Sequence, residues 1–183
     1  NQHIYVLRRE TSFGGSHCRL MLQKLSMSGE LLWDAEGVKI FPNDDSDIIL
    51  GYECIGDDGE GNIAVFFMRN DKTTDEDRVS NLFTKVSKED GSLVFEAPVV
   101  FSPSNDNRSN MKVSQLINDE YWIAMWEDKR ILNTDNPDVD PTELPSRLYM
   151  QRIPKDGVIE THYVSTKAEN KKVLLEEFTG IHC

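Results

Sequence analysis

The chain has 183 residues and a net charge of −12, with 20 Lys and Arg against 32 Asp and Glu. A surface this acidic repels phosphate backbones, so nucleic-acid binding is not expected. The longest apolar stretch, residues 63–68, has the length of a strand; a membrane-spanning helix needs about 20 apolar residues, so no membrane span is expected in this chain.

Predicted strands follow one another along the first part of the chain. They cover residues 4–9, 20–25, 30–33 continuing to 38–41, 48–55 and 62–68. They are short segments rich in apolar residues and bounded by turn residues, which is typical of strands. The segment Asp57-Asp58-Gly59-Glu60-Gly61 predicts the turn before the last of these strands. We find no helical period before residue 166.

Three segments share a hairpin pattern, in which a strand ends in a basic and an aliphatic residue and a polar turn with glycine follows. They cover residues 20–33, 82–95 and 148–159. Glycine suits this turn because a tight hairpin requires a positive φ. The turn glycines Gly29, Gly91 and Gly157 are 62 and 66 residues apart.

A second pattern has nearly the same spacing. Residues 63–67 resemble residues 123–126, and the segment from Ile4 has the same character, so the three starts are 59 and 60 residues apart. Two motifs with one period indicate repeated units of about four antiparallel strands, which is the plan of a β-propeller blade. A β-sandwich built from similar hairpins is the structural alternative.

The predicted fold is therefore all-β, with a partial β-propeller of about two to three four-stranded blades over residues 1–164. A linker over 165–172 and a C-terminal strand from residue 173 follow. Because residue 1 falls at the late strand of a unit and two blades cannot close a ring, we expect a segment of a larger protein. The rest of the propeller, or another protein chain, is the expected partner.

Acidic residues cluster in turns at residues 44–47, 57–58, 75–77 and 135–143. Solvated loop tips explain these clusters, and oxygen-rich loops of this kind are also candidate calcium sites. No other cofactor is indicated, because the four histidines match no metal-ligand spacing and there is no glycine-rich phosphate loop. Cys18 and Cys54 fall in strand-like segments, where a disulfide and two buried thiols are both open interpretations.

Three tryptophans are candidates for a glycan-binding face. Trp33, Trp122 and Trp126 lie in predicted strands, where aromatic rings form either the core of a blade or an exposed platform for sugars. Trp122, which alternates with Ile123, is the one we expect to be exposed.

The hairpin pattern resembles the propeller-like repeats of bacterial surface and secreted proteins. Residues 22–25 with Gly29 and residues 32–33 match their glutamine, lysine, aliphatic, glycine and tryptophan positions, and residues 150–153 with 156–157 match in part. Residues 124–130 resemble the strand end of those repeats. The resemblance covers about residues 1–164 and implies an architecture and a surface setting, but no ligand.

The tail, residues 171–183, resembles the entry to the thioredoxin-like domain of the outer membrane protein 28-related family, which consists of envelope lipoproteins of anaerobic bacteria. Its leucine-glutamate-glutamate-phenylalanine-threonine-glycine motif is followed by two residues and a CxxC pair; here the match ends at Cys183. The resemblance implies that residues 173–183 begin a truncated thioredoxin-like domain. Cys183 would be its catalytic thiol if that domain is intact, since a helix N-terminus favours the thiolate. A linker or stray strand is the alternative.

Together these patterns predict a non-catalytic binding or scaffold protein of the bacterial cell surface, outer membrane or periplasm, or a secreted one, with a glycan or protein as ligand. One alternative is a thiol–disulfide oxidoreductase-like lipoprotein whose CxxC motif begins at Cys183. Another is a glycan-degrading or proteolytic propeller with its active residues on other blades.

Overall fold

The computed structural model describes residues 2–11, 18–40, 48–49, 54–71, 78–102, 108–128, 147–159 and 164–165. These residues form strands and turns without any helix, which confirms the predicted all-β class. Among them, no helix is long and apolar enough to cross a membrane. Residues 166–183, which include most of the predicted linker and the whole C-terminal strand, lie outside the described residues.

The described strands form three antiparallel sheets. Sheet 1 contains β1 (Ile4–Thr11), β2 (Cys18–Leu25) and β3 (Val38–Lys39). Sheet 2 contains β4 (Ile48–Ile49), β5 (Cys54–Asp57), β6 (Asn62–Asp71), β7 (Arg78–Ser87) and β8 (Val99–Ser102). Sheet 3 contains β9 (Arg108–Val113), β10 (Tyr121–Asp128), β11 (Arg147–Pro154) and β12 (Val164–Ser165).

Each sheet is a meander in which strands that follow one another in sequence lie side by side. In sheet 2, β4 and β5 both pair with β6, at opposite ends of it, so together they occupy one outer position. Of the predicted strand over residues 48–55, the structure describes residues 48–49 and 54–55, and both parts pair with β6. Among the described strands, sheets 2 and 3 thus each have four positions and sheet 1 has three.

The predicted strand over residues 30–33 is wrong. Only Leu31 pairs there, in an isolated bridge to Leu25. The chain then bends in a turn closed by a 2.8 Å hydrogen bond from Gly37 N to the Asp34 carbonyl oxygen. Regular pairing with β2 resumes only at β3.

The pairing register also corrects the match between residues 63–67 and 123–126. Val86 and Ile153 are equivalent residues, because each is the aliphatic residue at the strand end of its hairpin motif. Ile63 lies opposite Val86. Trp122 lies opposite Ile153. Trp122, rather than Ile123, therefore takes the position of Ile63. The displacement matters because shifting a strand by one residue moves every side chain to the other face.

Sheet 2 is packed between the other two sheets. We call the face of each sheet that carries Lys24, Lys85 or Arg152 its front, and the opposite face its back. One apolar cluster joins the front of sheet 1 to the back of sheet 2, with Leu20, Leu22, Ile63, Val65, Phe67, Leu82 and Val86 among its members. A second joins the front of sheet 2 to the back of sheet 3, with Ala64, Phe66, Met68, Phe83, Trp122, Ala124, Trp126 and Ile153 among its members. Both interfaces therefore have the same front-to-back order.

A contact between an aromatic ring and a turn glycine recurs at both interfaces. A Cβ atom on Gly91 in sheet 2 would lie 3.2 Å from Cδ2 of Trp33 in sheet 1. A Cβ atom on Gly157 in sheet 3 would lie 3.2 Å from Cζ of Phe95 in sheet 2. At Gly29 in sheet 1, no described atom lies within 4 Å of that position.

Trp122 and Trp126 are both fully buried, so the prediction that Trp122 is exposed is wrong. It does alternate with Ile123, but its own face of β10 is the one that sheet 2 covers. Its indole packs edge-on against Phe66, with ring centroids 5.3 Å apart. Two buried rings cannot form a glycan platform, and Trp33 is itself half-buried beside Tyr5.

Gly91→Ala and Gly29→Ala form a matched pair that tests the packing between sheets 1 and 2. Both glycines have a positive φ, +78° and +88°, so each substitution costs about 1–2 kcal/mol of backbone strain. Only the Cβ at Gly91 would clash, at 2.7 Å from Val38 Cγ2, and overpacking of this kind adds about 1–3 kcal/mol. Urea unfolding should therefore show a larger loss for Gly91→Ala, and equal losses would contradict this packing.

Candidate functional site

The turn between β5 and β6 is organised around the buried carboxylate of Asp58, which has no exposed surface. Its Oδ1 accepts hydrogen bonds from the backbone N–H groups of Glu60 at 2.8 Å and Asn62 at 2.9 Å. Its Oδ2 accepts from Asn62 Nδ2 at 2.7 Å and from Lys85 Nζ at 3.1 Å. The sequence folds in this way because an aspartate can close a turn by bonding to the backbone that follows it.

Lys85 projects from the front of β7 and is only 5% exposed. A buried ammonium requires an anionic partner, and Asp58 is the partner that lies at hydrogen-bond distance. The Lys85 ammonium also lies 5.7 Å from the centre of the Phe95 ring. The pair therefore fixes the β5–β6 turn against the middle of sheet 2.

The hydrogen bonds of the turn govern the titration of Asp58. Burial, the largest single influence, raises the pKa of Asp58, but hydrogen bonds from Asn62, Glu60 and Lys85 together outweigh it. They hold the pKa of Asp58 below its ordinary value. The pKa of Asp57 is also lowered. Burial raises it, but hydrogen bonds from Lys88 and from the Gly59 backbone outweigh the effect of burial.

Lys155 connects sheet 3 to the same turn. It follows β11, and its ammonium donates to the Asp58 carbonyl oxygen at 3.0 Å and contacts Glu60 Oε1 at 2.9 Å. It also donates to Asp119 Oδ1 at 3.2 Å. The hydrogen bond with Glu60 is the main reason why the pKa of Lys155 is raised. Polar contacts therefore join sheets 2 and 3 where their turns meet.

Sheet 1 reaches this edge through a polar contact of Lys24. The Lys24 ammonium donates to the Lys88 carbonyl oxygen at 2.5 Å, and the Lys88 ammonium in turn pairs with Asp57. All three sheets therefore meet in one polar network at this end of the molecule.

A groove with a volume of about 520 Å³ lies beside this network, between β5 and the segment that follows β9. Its walls combine aliphatic, amide, hydroxyl and carboxylate groups: Ile55, Gly56, Asp57, Gly59, Val113, Ser114, Gln115 and Leu116. Apolar walls with a few polar groups are typical of binding sites for small molecules or short chain segments. We therefore take this groove as the candidate binding site.

At Gly56, the groove wall lies close to the indole ring of Trp122. A Cβ atom there would lie 3.3 Å from the indole nitrogen Nε1 of Trp122. That buried N–H group finds no hydrogen-bond partner among the described residues. A side chain at position 56 would press on the indole, so glycine lets β5 approach the core of sheet 3.

The other predicted site residues are mostly not brought together. Cys183 lies outside the described residues, so its catalytic role stays a prediction. Cys18 and Cys54 begin strands of different sheets, and only their backbones are described, so the disulfide is untested. Within the described ranges, no group of three or more His, Cys, Asp or Glu side chains is arranged to hold a metal ion. The acidic turns at 44–47, 75–77 and 135–143 lie outside those ranges.

Sequence reasoning identified the turn at residues 57–61 and the basic residue Lys85, but not their pairing. It missed the groove residues 113–116 entirely. Lys85, a basic residue at the end of an otherwise apolar strand, was the available signal for this pairing, because a charge at such a position needs a partner.

Comparison with known proteins adds no relative. No protein-family model, no curated protein and no solved structure matches this chain.

Asp58→Ala should lower the free energy of unfolding at pH 7 by about 3–5 kcal/mol, because it leaves the buried Lys85 charge without its carboxylate. Replacing both groups, with Asp58→Ala and Lys85→Met, should cost less than the single change. Chemical denaturation of the three proteins gives the comparison. A double variant less stable than the single one would contradict the pairing.

The loss of unfolding free energy caused by Asp58→Ala should also depend on pH. A carboxylate whose folded pKa is lowered stabilises the fold above its unfolded pKa of about 3.9, and this contribution is lost as pH falls through the folded pKa. The difference from the wild type should therefore shrink below about pH 4. Glu96→Gln, at an exposed position, serves as the control for general acid effects.

Proposed function

We propose that the three sheets are successive blades of a β-propeller, and that the protein is a non-catalytic binding or scaffold protein whose ligand occupies the groove between β5 and residues 113–116. The observation that carries the proposal is the front-to-back order at both interfaces. The contacts of Trp33 with Gly91 and of Phe95 with Gly157 support it, because each joins one sheet to the next in the same sense.

The stacking order favours a propeller over the sandwich alternative. In a sandwich, two sheets share one core and each keeps its outer face in solvent. Here sheet 2 is covered on both faces. In a propeller every blade is covered on both sides by its neighbours, which matches the environment of sheet 2.

In this proposed architecture, the groove lies between the first strands of two neighbouring blades. β5 and β9 precede the long central strands of their sheets, and among the described strands each pairs on one side only. In a radial arrangement, the first strand of each blade lies nearest the central channel. A groove between two such strands opens toward that channel, where one ligand can contact several blades.

The lining suggests the class of ligand. Gln115, Ser114 and Asp57 offer amide, hydroxyl and carboxylate groups, whereas Ile55 and Leu116 offer aliphatic surface. A glycan or a short protein segment presents the matching hydroxyl, amide and apolar groups. The cell-envelope location belongs to the same proposal; it rests on the resemblance of the hairpin motif to bacterial surface repeats.

Gln115→Trp should block the groove, because Gln115 is exposed on its wall and an indole would fill the space. Lys112→Trp is the matched control, since Lys112 is exposed on β9 outside the groove lining. A library of oligosaccharides and short peptides is screened by ligand-observed NMR. We expect a ligand that binds the wild type and Lys112→Trp and loses at least about tenfold affinity in Gln115→Trp. Binding unchanged by Gln115→Trp, or no binder in either class, would contradict the proposal.

A further inference from the structure

The two walls of the groove belong to different sheets and meet at the β5–β6 turn. Gly59 and Leu116 line opposite walls, and a Cβ atom on Gly59 would lie 3.9 Å from Leu116 Cδ2. The same Cβ atom would lie 2.7 Å from Asp119 Oδ1, so Gly59 also touches the turn that follows the second wall. The width of the groove at this end therefore depends on how the two turns are held together.

The turn that carries Asp119 has a defined backbone. Asn118 and Asp119 have positive φ angles of +50° and +59°, as the two central residues of a type I′ turn do. The turn is closed by a 2.8 Å hydrogen bond from Ile117 N to the Tyr121 carbonyl oxygen. Aspartate and asparagine adopt this left-handed backbone more readily than most residues. The Asp119 carboxylate is therefore held at the tip of the turn, beside Gly59.

Lys155 joins the two turns through one ammonium group. Its three acceptors are the Asp58 carbonyl oxygen at 3.0 Å, Glu60 Oε1 at 2.9 Å and Asp119 Oδ1 at 3.2 Å. An ammonium has three N–H donors, so these contacts can use all of them. The backbone of Lys155 is fixed as well, since its N–H donates to the Glu120 carbonyl oxygen at 3.0 Å.

The charge of Lys155 acts together with its hydrogen bonds. Glu60 belongs to the turn of sheet 2 and Asp119 to the turn of sheet 3, and both side chains are more than half exposed. Without the ammonium between them, these like charges would repel each other across the end of the groove. Lys85 also lies 3.9 Å from Glu60, but it projects from sheet 2 itself, so that pair does not join the two sheets.

We propose that Lys155 is the positioning residue of the groove: it sets the distance between the two walls and thereby which ligands fit between them. The inference rests on the proposed function of the groove as a binding site. Lys155 is not among the lining residues, so it acts on the ligand through Gly59 and Leu116. The apolar cluster between sheets 2 and 3 holds the rest of the interface. Loss of the ammonium should therefore open this end of the groove without separating the sheets.

Lys155→Met, which keeps a long side chain without its charge, tests this role by NMR. In the wild type, an NOE is expected between Gly59 Hα and the Leu116 methyl groups, which are in contact. A second NOE is expected between Gly56 Hα and the indole N–H of Trp122, because a Cβ atom on Gly56 would lie 3.3 Å from that nitrogen. In Lys155→Met the first NOE should be lost, and the second should remain because the core stays packed.

Two further variants serve as rescue and control. Lys155→Arg keeps a cation with several N–H donors, so it should retain both NOEs. Arg152→Met removes an exposed cation from the same end of β11, where Arg152 pairs with Glu120 at 3.6 Å, and it should also retain both. A Lys155→Met protein with both NOEs would overturn the inference. Loss of both would overturn it as well, since Lys155 would then only stabilise the packing of the sheets.

Ligand affinity is the second measurement. The oligosaccharide or peptide that the wild type selects in the screen above should bind Lys155→Met at least about tenfold more weakly, because a loosened site loses affinity. Lys155→Arg should restore binding, and unchanged affinity in Lys155→Met would overturn the inference. A screen without a binder would contradict the proposed function, whereas the NOEs are measured without any ligand, so the two failures can be told apart.

Discussion

The structure depends on strand β6 being apolar on both faces. Successive residues from Ile63 to Met68 are buried alternately in the cluster with sheet 1 and the cluster with sheet 3. A strand covered on both sides reads as a continuous apolar run, because neither set of side chains faces water. β6 therefore fixes sheet 2 as the central layer, and the front-to-back order of the stack follows from it.

The polar network beside the groove provides acceptors for basic side chains that the stacking of the sheets covers. Basic residues at the strand ends lie on faces that neighbouring sheets cover, so each needs an acceptor nearby. Lys85 bonds the Asp58 carboxylate, Lys24 the Lys88 carbonyl oxygen and Lys155 the Asp58 carbonyl oxygen. Because the contacts of Lys85 and Lys155 converge on the β5–β6 turn, they also position Asp57 and Gly59 in the wall of the groove. The β5–β6 turn therefore contributes both to the stability of the fold and to the candidate binding groove.

Alternation and glycine placement were enough to predict the all-β class, most strands and the turns at Gly29, Gly91 and Gly157. They could not predict which face of β10 is covered, since alternation separates two faces without saying where the neighbouring sheet lies. Trp122 was misplaced for that reason. The Asp58–Lys85 pair could not be found either, because its members belong to different hairpins and meet only after sheet 2 has formed.

A double-mutant cycle between Phe66 and Trp122 tests the stacking of sheets 2 and 3 most directly, because the rings meet across that interface at 5.3 Å. With Phe66→Leu and Trp122→Leu, each of which removes one ring, we expect a coupling free energy of about 0.5–1.5 kcal/mol, the usual range for an edge-on aromatic pair. The matched cycle between Val65 and Trp122 should give no coupling, since Val65 faces sheet 1. Zero coupling for Phe66 and Trp122, or equal coupling in both cycles, would contradict the stacking of sheet 3 on the front of sheet 2.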